Sequence, residues 1–321
     1  MTGPVLVLVE TDDDGVTEVS REALTFARDL GEVHALVVGD GPAGLVEQLG
    51  AYGVIGVRHA DGEAFTSYAA AAWAAAVVAA ADDVSVVTAA GTGRGNEVLA
   101  HVACRLGTAM AANVVAVDGT EPLVVSRQVL GGAALEQLPL TDGVAVFSVA
   151  GHACDPRPAD VNTSPEVVPL DVAVSESDLR ARVVRTEPGE PDESGSLKSA
   201  RVVIGAGRGA GGPDGFKDLL ELTDLLDGAL GVSRVVTSLG WRPHHEQVGQ
   251  TGSRVAPDLY VACGISGAIQ HWSGMSSSKT ILAINNDPDA PMVTKAHYAV
   301  IGDLHEIVPA INEEVRRRRS A

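Results

Sequence analysis

The sequence predicts an α/β fold in two domains, each built on a mostly parallel sheet flanked by helices. Three observations carry that expectation. The first half alternates short β-rich runs with helical patterns, an acidic stretch rich in Pro, Gly and Ser then interrupts the chain, and the alternation begins again beyond it. Strands separated by helix-length segments pair in parallel and need helices on both faces of the sheet.

In order, "VLVLVE" reads as the first strand. Ser20 is placed to cap a helix through Leu30 that Gly31 closes, since a Ser hydroxyl accepts from free N–H groups at a helix start and Gly takes the left-handed turn at its end. "VHALVVG" is the next strand, residues Ala64 to Ala81 a helix, "VSVVTAA" a strand, and "GNEVLAHVACRLG" a helix ending at Gly107. After Val114 the helices stop, and "PLVVSRQVLGGAALEQL" and "GVAVFSVAG" read as antiparallel strands. These boundaries give an N-terminal domain over residues 1–183, a linker over 184–200 ("VRTEPGEPDESGSLKSA") and a second domain over 201–321. Its strands fall at Arg201–Ile204, Ala229–Val232, Leu259–Cys263, Thr280–Ile284 and Tyr298–Ile301, with a helix over Phe216–Leu226.

Composition narrows the function. A net charge of -19 disfavours nucleic acid and anionic membrane surfaces as partners. The Arg316–Arg319 run is the exception, and it reads as a solvated helix end whose cations suit the dipole. Cys104, Cys154 and Cys263 are scattered and odd in number, without metal spacing, so the expected compartment is reducing. The longest apolar run, Ala69 to Ala81, is too short to span a bilayer, and "VLVLV" followed by "ETDDD" is not a signal peptide; the expectation is a cytoplasmic protein without membrane insertion.

The informative residues sit where the second domain's strands end. "GAGRGAGG" with Arg208 follows the first strand, Ser233-Arg234 the second, "GISGAIQH" the third, Asn285-Asn286 the fourth and Gly302-Asp303 the fifth. In open parallel sheets ligands bind beyond the carboxyl ends of the strands, so five such turns point to one edge. "GAGRGAGG" contains G-x-G-x-x-G, but Pro213-Asp214-Gly215 intervenes before the helix, and a dinucleotide fingerprint opens its helix directly. Ser266-Gly267 before Ala268 fits an anion site of backbone N–H groups. His244-His245-Glu246 is a dense titratable cluster, but it reads as a surface loop.

"LYVACGISGAIQHWSGM", with "QVGQTG" upstream and "SKTILAINNDPDAP" downstream, closely resembles the α subunit of electron-transfer flavoproteins. The match runs from about Val202 to Leu304 with near-ungapped spacing; "GRGNEVLAHVACRLGTAMAANV" and "SRQVLGGAALEQL" resemble the family more loosely. The resemblance implies a Rossmann-like C-terminal domain holding one FAD, and a heterodimer whose β subunit holds AMP. It also implies an electron carrier rather than a substrate-converting enzyme, taking electrons from acyl-CoA or related dehydrogenases, as in fatty acid β-oxidation, towards a membrane quinone oxidoreductase.

Carried over, Arg208 would sit by the flavin or its diphosphate, Ser233 on the phosphates and Arg234 over the isoalloxazine ring. Gln247, Val248, Gly249, Gln250 and Thr251 would wrap the ring and ribityl chain, with the Thr251 hydroxyl near N5. Ser266, Gly267, Ala268, Ile269, Gln270 and His271 would bind diphosphate and ring, with His271 near the C2 carbonyl. Asn285, Asp303 and Leu304 would hold the adenosine end. Arg234 and His271 would be cations favouring the negative charge a flavin gains on reduction. By residue type alone, His271 reads as a helix-start histidine and Thr251 as a turn hydroxyl; only the constellation gives them roles. The chain departs from the family in lacking an acid after Ser233-Arg234, and in having Asn286, His297 and His305, which together imply a divergent paralogue. A single-chain NAD(P)-dependent oxidoreductase and a subunit of a bifurcating flavoprotein are the alternative readings.

Overall fold

The computed structural model describes residues 3–41, 43–130, 134–151, 153–186, 197 and 200–319. They form two compact units, one up to residue 187 and one from 188 onward. Most of the expected linker, residues 187–196, 198 and 199, lies outside the described residues, as does His152.

The first unit contains β1 (Val5–Leu8), β2 (Thr11–Asp12) and β3 (Gly15–Val16), then α1 (Glu18–Ala27), β4 (Val33–Val38), α2 (Leu45–Ala51) and β5 (Val54–Ala60). It continues with α3 (Ala70–Ala79), β6 (Val86–Ala90), α4 (Gly93–Leu106), β7 (Met110–Thr120), β8 (Leu123–Val129), β9 (Ala134–Leu140), β10 (Ala145–Val149) and β11 (Glu166–Pro169). Nine of these strands form one sheet in the order β11-β5-β4-β1-β6-β10-β7-β8-β9, while β2 and β3 form a small hairpin. The sheet is parallel from β11 to β7 and antiparallel across β7, β8 and β9. β1 shows why two cores form: Val5 and Val7 join one cluster with α1 and α2, Leu6 and Leu8 the other with α3 and α4. Successive side chains of a strand point to opposite faces, so a wholly apolar strand needs cover on both.

Several local expectations shift. α1 begins two residues before Ser20: Thr17 caps it, accepting from the Ser20 N–H, while the Ser20 hydroxyl turns inward to the Glu10 carbonyl. The helix expected over 64–81 splits into a 3-10 turn, Glu63–Phe65, and α3, because the Thr66 hydroxyl closes the turn on the Glu63 carbonyl. β10 is parallel to both β6 and β7, not antiparallel; its five residues are all buried, which suits a central strand. α4 ends as expected, with Gly107 in the left-handed conformation.

The second unit holds β12 (Val202–Ala206), α5 (Lys217–Leu225), β13 (Ala229–Val232), α6 (Arg234–Ser238), β14 (Leu259–Cys263), α7 (Ile269–Met275), β15 (Thr280–Asn285), α8 (Pro291–Lys295), β16 (Tyr298–Ile301) and α9 (Leu304–Arg319). Its sheet is wholly parallel, in the order β13-β12-β14-β15-β16. The chain leaves β12 towards β13 and then returns to build β14 on the other side, so the direction of winding reverses between β12 and β14. Gly209 allows the two loops to meet there: a Cβ on it would stand 2.6 Å from the Gly264 Cα. At the far end Arg316, Arg318 and Arg319 of α9 pair with Glu221, Glu314 and Asp227, the solvated helix end the sequence suggested.

Candidate cofactor-binding site

One cavity of about 800 Å³ lies at the carboxyl ends of the second sheet, lined by residues following each of its five strands. Its volume falls within the ~300–1,000 Å³ of small-molecule sites. The position is the one that parallel topology favours, outside the strand ends at the reversal of winding.

Of the expected site residues, Arg208, Ser233, Arg234, Gln247, Val248, Gly249, Gln250, Thr251, Ser266, Ala268, Gln270, His271, Asn285, Asp303 and Leu304 line this cavity. Gly267 and Ile269 do not. Gly267 (φ +85°) lies against the backbone of Met292, where a Cβ would overlap, and Ile269 is 51% exposed. Val235, Ser238, Leu239, Asp287 and Ala290 also line the wall without having been singled out from sequence, because none stands in the first two positions after an expected strand.

The positioning is local. Ser233 is the N-cap of α6, extended at φ -75°, ψ 156°, and makes no capping bond; its buried Oγ has no hydrogen-bond partner. Arg234 follows it as the first helical residue, exposed. Neither Arg208 nor Arg234 makes an ion pair with a carboxylate among the described residues. The loop after α6 returns along the sheet through a parallel bridge from Val232 to Gln247, and Gln250 N–H donates to the Gln270 carbonyl at 2.8 Å, tying it to the start of α7. Gln247, 2% exposed, has its amide between Thr237 (2.7 Å) and Thr251 (3.0 Å), so it braces the Thr251 hydroxyl through protein contacts. Asn285 is similarly committed: its amide donates to the Ile265 carbonyl at 3.0 Å and accepts from Asp287 N–H at 3.1 Å, clasping the β14 and β15 turns together.

His271 corrects the sequence expectation of a cation. It is 6% exposed, and burial pushes its imidazole down to about 4, the Val248 backbone opposing weakly without completing a hydrogen bond to Nδ1. Water stabilises the charged ring far better than this apolar wall does, so His271 is neutral at physiological pH in the ligand-free chain. Its Nε2 meets the Tyr260 hydroxyl at 3.0 Å.

His244-His245-Glu246 forms a short 3-10 turn in which Glu246 pairs with Arg242 at 2.8 Å. That carboxylate is spoken for, so the cluster offers no free acid/base pair. The turn after β12 also departs from a dinucleotide fingerprint: two 3-10 turns, Arg208–Ala210 and Pro213–Phe216, precede α5.

Residues 5–175 match the electron transfer flavoprotein domain and residues 196–276 the electron transfer flavoprotein FAD-binding domain. Along its length the chain is 33% identical to the electron transfer flavoprotein subunit alpha of Thermoanaerobacterium thermosaccharolyticum, covering 98% of each chain. The chain belongs to the electron transfer flavoprotein alpha-subunit family. The subunits alpha of Mycobacterium tuberculosis (36% identity, 98% of this chain and 99% of that one) and Bacillus subtilis (32%, 98% and 97%) match over similar spans.

The cavity suits the FAD of an electron transfer flavoprotein. Its wall carries two guanidinium cations without carboxylate partners among the described residues, complementary to a diphosphate. Two of its residues, Ser233 and His271, hold buried polar atoms that find no hydrogen-bond partner among the described residues. Buried polar groups are almost always paired, and a polar ligand in the cavity would give both of these atoms partners. Among the described residues no group of acids, histidines and cysteines could hold a metal, and no helix is long and apolar enough to cross a membrane.

Proposed function

We propose that this chain is the FAD-carrying subunit of a heterodimeric electron carrier, receiving electrons from acyl-CoA or related dehydrogenases and delivering them towards a membrane quinone oxidoreductase. The observation that carries this reading is the convergence of five strand ends on one cavity with unpaired arginines and orphaned polar atoms. The relatives' designation as subunit alpha supports a β subunit as partner; AMP in that partner follows from the family resemblance alone. On this reading residues 1–183 are the scaffold for the β subunit, 184–200 the linker and 201–321 the FAD-binding domain, and the heterodimer works in the cytoplasm.

When bound, FAD would accept electrons from the donor and release them to the acceptor. The chain's own residues bind and orient it. Arg208 and Arg234 would supply positive charge, Ser233 and Ser266 hydroxyl donors, and Asp287 and Asp303, on the same cavity wall, carboxylate acceptors for the cofactor's hydroxyls. Val235 and Leu239 keep part of the wall apolar. His271 adds a neutral ring rather than a second fixed charge, which leaves Arg234 as the steady electrostatic influence, since a guanidinium keeps its proton.

Expression with and without a cognate β subunit, followed by absorption spectra, FAD stoichiometry and a donor screen, tests the proposal. One FAD per heterodimer, reduced by an acyl-CoA dehydrogenase, is expected. A colourless heterodimer, or reduction by NADH alone without any dehydrogenase, would overturn it.

A further inference from the structure

Thr251 stands on the cavity wall, exposed, in the loop between α6 and β14. Among the described residues its hydroxyl has one hydrogen-bond partner, the Gln247 side-chain amide at 3.0 Å. That amide is buried, and its other end meets the Thr237 hydroxyl at 2.7 Å. Thr237 lies on α6, half-buried, and does not line the cavity. Its hydroxyl is also 3.0 Å from the Arg234 carbonyl. The loop is built around Gln247. Its carbonyl accepts from Ser253 N–H at 2.7 Å, its N–H donates to the His244 carbonyl at 3.0 Å, and a Cβ on Gly252 would overlap that same Gln247 carbonyl. Thr237, Gln247 and Thr251 thus form a chain of polar contacts that starts outside the cavity and ends on its wall.

Hydrogens can run along this chain in two directions. In one, Thr237 donates to Gln247 Oε1, Nε2 donates to the Thr251 oxygen, and the Thr251 hydrogen is left for the cavity. In the other, Thr237 donates to the Arg234 carbonyl, Nε2 donates to the Thr237 oxygen, and the Thr251 hydrogen is spent on Oε1. Both directions pair the amide at each end, so pairing alone does not choose between them. The lengths do. O–H···O bonds cluster at about 2.7–2.8 Å and N–H···O bonds at about 2.9–3.0 Å. The first direction gives the amide an O–H···O contact of 2.7 Å and an N–H···O contact of 3.0 Å, whereas the second needs the two lengths exchanged. We infer that Thr237 is a positioning residue: through Gln247 it fixes the Thr251 hydroxyl as a hydrogen donor to the ligand of the cavity. Such a hydroxyl favours an acceptor atom of the ligand over a donor. The inference rests on the FAD reading for its ligand, but not for the direction of the chain.

Nuclear Overhauser contacts of the Gln247 amide hydrogens test the direction on the full-length chain, with 15N-labelled glutamine and methyl-labelled threonine, without and with FAD. The Gln247 signals are assigned by their loss in Gln247→Leu. Contacts stronger to the Thr251 methyl than to the Thr237 methyl are expected in both states, and the reverse order overturns the inference. Thr237→Val keeps the shape and deletes the hydroxyl, so nothing then favours one direction of the amide. The competent direction should fall to about half, raising the FAD dissociation constant about twofold. Thr237→Ser keeps the hydroxyl and should bind as wild type does. In a Thr251→Val background, Thr237→Val should have no further effect. An unchanged dissociation constant in Thr237→Val, or an increase that persists without the Thr251 hydroxyl, would reduce Thr237 to packing and overturn the inference. Should Thr237→Val not fold, the wild-type contacts still decide. A wild-type chain that binds no FAD would sink the proposed function, while the ligand-free contacts would still judge the direction.

Discussion

Ser233 and His271 separate stability from binding. The Ser233 hydroxyl is buried and makes no hydrogen bond, so Ser233→Ala should leave the ligand-free chain as stable as before or slightly more so. The same change should weaken FAD about tenfold, the loss of ~1.5 kcal/mol from a hydrogen bond to a charged group. Denaturation and FAD titration of one variant check both halves; a large stability loss with unchanged affinity would contradict the assignment. For His271 the sign follows from burial. The unfolded ring takes its proton near 6.5, the folded ring only near 4. Between those values the unfolded state binds more protons, so this contribution is complete above about pH 6.5 and is lost as pH falls towards 4, by about 3 kcal/mol. Urea denaturation of the ligand-free chain at pH 7 and 4.5 should therefore show a steeper acid loss in wild type than in His271→Gln; equal losses would show that the ring is not buried neutral. Residue type alone hid this behaviour: the Gln-His pair was legible as a ligand site, but the burial of one ring against Tyr260 depends on Gly205 of β12, where a Cβ would overlap the phenol.

At the scale of elements, three of the second unit's five strands fall at the expected residues, β15 runs one residue further, and β12 begins one residue later than Arg201 and ends two beyond Ile204, because continuous apolar runs bounded by Gly-rich turns leave little room for other readings. The misses have local causes. Thr17 and Ser20 compete for one cap; both hydroxyls reach the Glu10 carbonyl, but Thr17 Oγ1 accepts the helix N–H of Ser20 while Ser20 Oγ accepts the Glu10 N–H. β10 was ambiguous because an apolar run states that it is buried and not which neighbours it joins. Gly267 was read as part of an anion cradle, but its conformation answers to packing against α8. Gly267→Ala combines a left-handed backbone with overlap at Met292, so it should destabilise the chain by ~2 kcal/mol or more. Gly212→Ala is the contrast, since a Cβ there meets nothing within 4 Å and its φ is 162°. Equal denaturation midpoints for the two variants would refute this account of the β14–α7 turn.

For the whole molecule, the division into two α/β units was legible because period and composition both change at the acidic break, whereas the pairing order of nine strands was not, since it rests on contacts far apart in sequence. Every residue lining the cavity lies between Arg208 and Leu304, within the second unit. A ligand stabilises only what must be folded to bind it, by about 2.7 kcal/mol at a hundredfold excess over its dissociation constant. Saturating FAD should therefore slow amide exchange across β12 to β16, most strongly at the strand ends, through local openings that the cofactor opposes. The β1 to β11 amides should slow far less, because their openings leave the cavity intact. Exchange measured by mass spectrometry with and without FAD checks this. Equal slowing in both sheets would mean that the two units open together, and that the N-terminal unit, which lends the cavity no residue, still shares in the binding free energy.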